Sequence, residues 1–289
     1  MAAPQEPTRE MFIRKVLLIE PHASRGGALE SLFDARAWEV RYAPDNESAL
    51  EKVKMEPFDL VVTNAATSGP EDVLLLRKLR CVRPHMRLII LTKQKTPGDV
   101  VDALRYHAFS YFTAPVPQEE LRTLIDDIVN GPAWDDGIEM LHGTSQYVAL
   151  AVRCDLATLD RLVQFVREGV DVPEVEKEEV AFAFREIVFN AMKYGGKFDP
   201  EKFVEICYLK STRQITCRVK DPGDGFSFEE VLDAEKSRPL PEMDRRRESE
   251  GDLGGLGILL ARHYVDELIY NENGNEVFLV KWLDRRPGP

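Results

Sequence analysis

Short apolar runs alternate with amphipathic stretches from about Phe12 to Asn130, and that alternation predicts the first half of the chain. Val16–Ile19, Trp38–Tyr42, Leu60–Thr63, Leu88–Leu91 and Ser110–Phe112 read as strands, with helical stretches such as Glu71–Arg80 and Asp99–Tyr106 between them. Five strands alternating with helices imply an α/β domain on a doubly wound, five-stranded parallel sheet covered on both faces. In that architecture ligands sit at the carboxyl ends of the strands. Gly131-Pro-Ala-Trp-Asp-Asp-Gly137 then concentrates chain breakers, so residues 131–144 read as a short linker between a domain at 12–130 and another at 145–285.

The second half has a different rhythm. Tyr147–Arg153 reads as a strand, Asp155 as a helix cap, and Leu156–Glu168 and Glu174–Tyr194 as helices. Two strands follow, Phe203–Leu209 and Gln214–Val219, and then Phe226 to Asp252 loses apolar periodicity to charge and proline, including Arg245, Arg246 and Arg247. Long irregular segments of this kind are often functional lids. The chain closes with a helix over Ile258–Glu267 and a hairpin, Leu268–Tyr270 and Val277–Trp282, turned at Asn273-Gly274.

Composition narrows the classes of function. With 289 residues, 44% hydrophobic and 30% charged, the chain is long enough for two globular domains. A formal net charge of -12 argues against a nonspecific nucleic-acid clamp and fits a protein partner better. Met1 to Pro7 shows no basic segment leading into an apolar run, and nowhere are there the roughly 20 apolar residues of a membrane span, so a cytoplasmic protein is expected. Cys81, Cys154, Cys207 and Cys217 form no CxxC, which disfavours zinc and a disulfide framework.

Three stretches of the second half carry chemistry: Glu186-Ile-Val-Phe-Asn190, Asp221-Pro-Gly-Asp-Gly225 and Gly254-Gly-Leu-Gly257. Glu186 and Asn190 lie four residues apart, about 40° on a helix, so both project on one side, with Lys193 nearby in angle. They sit amid Phe184, Ile187, Val188 and Ala191, where burying them without partners costs a few kcal/mol. Either a bound ion and triphosphate supply those partners, or the stripe faces solvent as an i,i+4 pair. Asp221 follows a strand directly and can accept a hydrogen bond from the amino group of adenine, which guanine does not offer there. Gly223 and Gly225 let that loop turn tightly, and Gly254, Gly255 and Gly257 let phosphate oxygens approach the amides that open a helix. A simple Asp-Pro-Gly turn is the plainer alternative for the second stretch.

In that order and spacing the three stretches resemble the N, G1 and G2 boxes of the GHKL superfamily. The resemblance implies an α+β ATP-binding domain with helices on one face of a mixed sheet. It makes Asn190 a Mg²⁺ ligand, Glu186 a candidate general base and Lys193 a phosphate contact, with ATP and Mg²⁺ bound. The first half resembles the response-regulator receiver domain over its whole length. A working receiver needs two acids, an aspartate, a Ser or Thr and a Lys-Pro at successive strand ends; here those places hold Glu20-Pro21, Asn64, Thr92 and Ala114-Pro115. An amide is a poor nucleophile and a weak metal ligand, and Ala114 removes the cation that would pair with a phosphoryl group. The domain is therefore expected to be a pseudo-receiver used for docking or dimerisation.

His142 lies near a strand and not on a hairpin of long helices, so a histidine kinase is disfavoured, and no transducer segment is expected after the ATP fold. What remains resembles the anti-sigma-factor serine kinase family. The resemblance implies a protein serine/threonine kinase whose partners are a sigma factor, an anti-anti-sigma protein of STAS type, or another signalling protein. A nucleotide-gated scaffold that binds ATP without transferring phosphate is the alternative.

Overall fold

The computed structural model describes residues 13–20, 27, 29–130, 137–228 and 254–283. The expected boundary residues 131–136, most of the expected lid including Arg245–Arg247, and Pro21 lie outside these residues. The chain divides into two compact units. The first runs to Lys95 and resumes at Tyr111; the second comprises Thr96–Ser110 and the chain beyond Asp135.

The first unit is built on a five-stranded sheet in the order β2-β1-β3-β4-β5. Its strands are β1 (Arg14–Ile19), β2 (Trp38–Ala43), β3 (Leu60–Val62), β4 (Arg87–Thr92) and β5 (Ser110–Thr113). The ladders β1–β2, β1–β3 and β3–β4 are parallel, as the alternation of strands and helices requires. Val16, Leu17, Leu18 and Ile19 have no exposed surface, the mark of a central strand covered on both faces. Helix α1 (Asn46–Met55) is capped by Asp45 and α2 (Gly69–Val82) by Ser68. Helix α4 (Gln118–Asn130) follows β5.

Helix α3 (Pro97–Arg105), opened by a Thr96/Asp99 capping box, groups with the second unit. The compact grouping thus departs from the contiguous span 12–130 expected of the first domain, because a strongly amphipathic helix buries Val100, Val101 and Leu104.

The second unit carries a six-stranded sheet ordered β10-β11-β9-β8-β7-β6. The strands are β6 (Ile138–Gly143), β7 (Tyr147–Arg153), β8 (Phe203–Lys210), β9 (Gln214–Lys220), β10 (Glu267–Tyr270) and β11 (Glu276–Trp282). Residues 138–143, read as linker, are in fact its edge strand, paired with β7 across a bulge at Met140/His142. The sheet expected to be mixed is antiparallel at every ladder. Two helices, α5 (Leu156–Gly169) and α6 (Glu174–Asn190), separate β7 from β8, and an even number of helical passes brings the chain back antiparallel. Helix α7 (Gly254–Tyr264) precedes β10, which runs in the sense of β9, but β11 inserts between them.

Alternation holds along much of these strands, although Val280 on β11 is buried as well. Val204, Ile206, Ile215, Cys217, Val219, Val277 and Leu279 are buried, whereas Phe203, Leu209, Phe278 and Trp282 face outward. Helices therefore cover one face, as expected, with α6 packed between α5 and α7. Asp155 caps α5, accepting from Thr158 N at 2.8 Å. Among the described residues no helix is long and apolar enough to cross a membrane.

One buried acid of the first unit is set by its desolvation. Asp72 of α2 has no exposed surface and accepts from Asn46 Nδ2 at 2.9 Å and from Thr67 Oγ1 at 2.8 Å. Those hydrogen bonds favour the carboxylate, but desolvation outweighs them and pushes the Asp72 carboxyl up to about 6.

A folded-state value above the ordinary 3.8 means that the folded chain favours the protonated acid. The stability this confers is complete below about 3.8 and is lost as pH rises through about 6, on the order of 3 kcal/mol in all. Asp72→Asn, whose amide oxygen can accept from Thr67 Oγ1 but does not titrate, is expected to flatten that slope in urea denaturation at a series of pH values. An unchanged slope in the variant would remove Asp72 as its source.

Candidate functional site

The second unit holds a cleft of about 470 Å³ between the end of α6, the loop after β9, the start of α7 and β10–β11. Ile187, Asn190 and Ala191 line it from α6, Asp221 to Phe226 from the loop, and Ile258 from α7. The solvent-facing alternative for Glu186 and Asn190 fails: they are 5% and 9% exposed.

Beside Asn190, which lines the cleft, Glu186 and Gly257 come together. A Cβ built on Gly257 would stand 2.7 Å from Glu186 Oε2 and 3.7 Å from Asn190 Nδ2, so any larger residue there would require the Glu186 carboxylate to move. Burial raises the Glu186 carboxyl above the usual range, and the Arg185 guanidinium, 3.6 Å away, pulls in the opposite direction. Among the described residues, the buried Asn190 Nδ2 has no hydrogen-bond partner. Gly254 and Gly255 form the first turn of α7, where unpaired amides carry partial positive charge.

The other end is organised by Asp221. Its Oδ1 accepts from Gly223 N at 2.8 Å, and its own N–H donates to Asn275 O at 2.9 Å. The carboxyl is raised by desolvation, with the Gly223 amide opposing. A side chain on Gly195 would overlap Asp221, and one on Gly223 would come 2.7 Å from Gly195 Cα. Gly225 has a left-handed φ of 85°, and a Cβ there would overlap Asn273 O. Gly274, at φ 74°, faces Phe226 O in the same way, so the loop after β9 and the β10–β11 turn interlock backbone to backbone.

Of the predicted residues, Asn190, Asp221, Gly223 and Gly225 line the cleft, whereas Glu186, Lys193 and Gly257 do not. Helix α6 widens into a π turn at Ala191–Gly195, which rotates less per residue than an α-helix and changes the angle read from α-helical spacing. Lys193 Nζ instead lies 5.7 Å from the Phe189 ring and 5.2 Å from the Tyr194 ring. Lys197 and Lys202 line the cleft in its place, with Tyr194, Tyr270 and Asn275. Lys197 and Phe198 both have left-handed backbone, φ 58° and 50°, and Phe198 packs edge-on against Phe189 at 5.7 Å. Two consecutive non-glycine residues in that region leave no spacing rule by which the sequence would announce them.

In the first unit the strand ends place Glu20, Asn64, Thr92 and Ala114 after β1, β3, β4 and β5. Glu20 is buried, its carboxyl raised by desolvation and by the like charge of Glu30. Asn64 Oδ1 accepts from Ala66 N at 2.9 Å, and Thr92 Oγ1 donates to Gln94 O at 2.8 Å. Both side chains are thus spent on their own loops.

Comparison with known proteins matches residues 152–281 to the histidine kinase-like ATPase domain and residues 16–126 to the response regulator receiver domain. The transcriptional regulatory protein ZraR of Escherichia coli (strain K12) is 22% identical over 111 residues, 38% of this chain and 25% of that protein. The transcriptional regulatory protein RprY of Bacteroides fragilis (strain YCH46) is 24% identical over 115 residues, 40% of this chain and 49% of that one. GlrR of Escherichia coli (strain K12), another transcriptional regulatory protein, is 29% identical over 104 residues, 35% of this chain and 23% of that protein. The chain thus spans between about a quarter and a half of the length of these relatives. Among solved structures, a CheY-like receiver domain protein from Methanospirillum hungatei JF-1 aligns with 22% identity and a TM-score of 0.37, over 41% of this chain and 95% of that one. The chain carries a response regulator receiver domain at 16–126 and a histidine kinase-like ATPase domain at 152–281, and the second match implies ATP binding.

Proposed function

We propose that the second unit binds Mg-ATP and transfers its terminal phosphoryl group to a Ser or Thr of a partner protein, as an anti-sigma-factor-like kinase. The observation that carries this reading is the meeting of a buried carboxylate and a helix-opening glycine with Asn190, an amide of the cleft lining whose Nδ2 has no partner among the described residues. Asn190 has the donor chemistry for Mg²⁺, which when bound neutralises phosphate charge. Asp221 accepts from the adenine amino group, in a loop held by Gly223 and Asn275. Gly254, Gly255 and Gly257 leave the amides at the start of α7 open to phosphate oxygens. Glu186 takes the proton of the attacking hydroxyl, a task suited to a carboxylate whose basicity is raised by burial.

The receiver domain is read as a pseudo-receiver, a docking or dimerisation module. Asn64 and Ala114 stand where a nucleophilic carboxylate and a lysine are needed, and the Asn64 side chain is occupied by Ala66 N. The partners proposed for the whole chain are a sigma factor, an anti-anti-sigma protein or another signalling protein.

Glu186→Ala is expected to leave Mg-ATP affinity within about threefold of the native protein while transfer of labelled phosphate to the partner falls by about 100-fold or more. In the native protein, transfer should fall on acidification at a pH above that of an ordinary glutamate, since the raised group protonates earlier on the way down. Undiminished transfer by the variant would reject Glu186 as base; tight ATP binding with no transfer by the native protein would favour the nucleotide-gated scaffold. For the first unit, incubation with a small acyl-phosphate donor and Mg²⁺ should yield no adduct by intact-mass measurement. A stable phosphoryl adduct there would contradict the pseudo-receiver reading.

A further inference from the structure

Alternation along β11 puts Val277, Leu279 and Lys281 on the helix-covered face, where the third position holds an ammonium group only 5% exposed. A charge at such a place persists only if paired and hydrogen-bonded. Lys281 Nζ donates to Glu179 Oε2 at 2.7 Å and to Tyr264 O at 2.8 Å. Glu179 lies on α6 seven residues before Glu186, and seven residues rotate a helix to within about 20° of the starting direction. Tyr264 is the last residue of α7, so the cation also meets the negative end of that helix dipole. Phe182 of α6 and Tyr264 meet edge to face at 5.2 Å.

We propose that Lys281 is a positioning residue for the phosphate end of the cleft: by tying α6 to the carboxyl end of α7, it holds Gly257 against Glu186 and Asn190. The proposal rests on the ATP reading of that cleft. The two helices need to stay in register, because the Gly257 approach leaves no room for a methyl group. Asp221, by contrast, is fixed by Gly223 and Asn275, neither of which belongs to α7. A loosened clamp therefore acts on phosphate recognition and spares recognition of the base.

The test uses the full chain with Lys281→Met and Glu179→Gln, the second variant keeping the lysine and its bond to Tyr264 O. Calorimetry with Mg-ATP and with adenosine is expected to show about tenfold weaker Mg-ATP binding in Lys281→Met and a smaller loss in Glu179→Gln, with adenosine unchanged within about twofold. A merely structural role would weaken both ligands together, and that result, like no loss for either, would overturn the proposal. Amide hydrogen exchange on the unliganded protein reads the clamp without nucleotide. Faster exchange over residues 257–264 in both variants is expected; exchange equal to the native protein would also overturn it. If the native protein fails to bind Mg-ATP, the nucleotide reading fails, and exchange still decides whether the clamp exists.

Discussion

Two polar side chains on an otherwise apolar helix face set the terms for the second unit. Glu186 and Asn190 are buried by α7, and a helix can come that close only where it presents glycine. An uncompensated carboxylate and amide at that contact would cost more than the packing of a few aliphatic groups returns. Their presence is understandable if the cleft exists to hold something charged. The surrounding elements serve that contact: β11 contributes the ammonium that joins the two helices, and β9 delivers Asp221 to the opposite end.

The strand order and parallel pairing of the first unit are those expected of a receiver, and Asn64 and Thr92 hydrogen-bond within their own loops. A buried acid does occur nearby. Asp72 accepts from Asn46 and Thr67 and so braces the loop after β3.

Period-2 and period-3.6 patterns located nearly every strand and helix described, because burial on one face is a local, repeating demand. The N-terminal cap at Asp155 and the turn at Asn273-Gly274 were legible for the same reason. Strand β6 was not: Ile138–Gly143 mixes exposed and buried residues at a sheet edge and carries a bulge, so no alternation survives. Lys193 was misplaced because the π turn departs from the α-helical angle, and Lys197 and Lys202 were overlooked because irregular backbone brings them to the cleft. Lys281 falls within the strand expected over Val277–Trp282, and its inward direction follows from strand register, but its partners follow only from the packing of three elements.

The interlock of Gly225 with Asn273 O, and of Gly274 with Phe226 O, joins main chain to main chain. Side-chain packing can drift through a series of slightly larger or smaller residues, each nearly as good as the last. A joint made of two bare backbones has no such graded neighbours in sequence space, so divergence of the loop after β9 is expected to proceed by replacing the whole hairpin together with it, as one heritable unit.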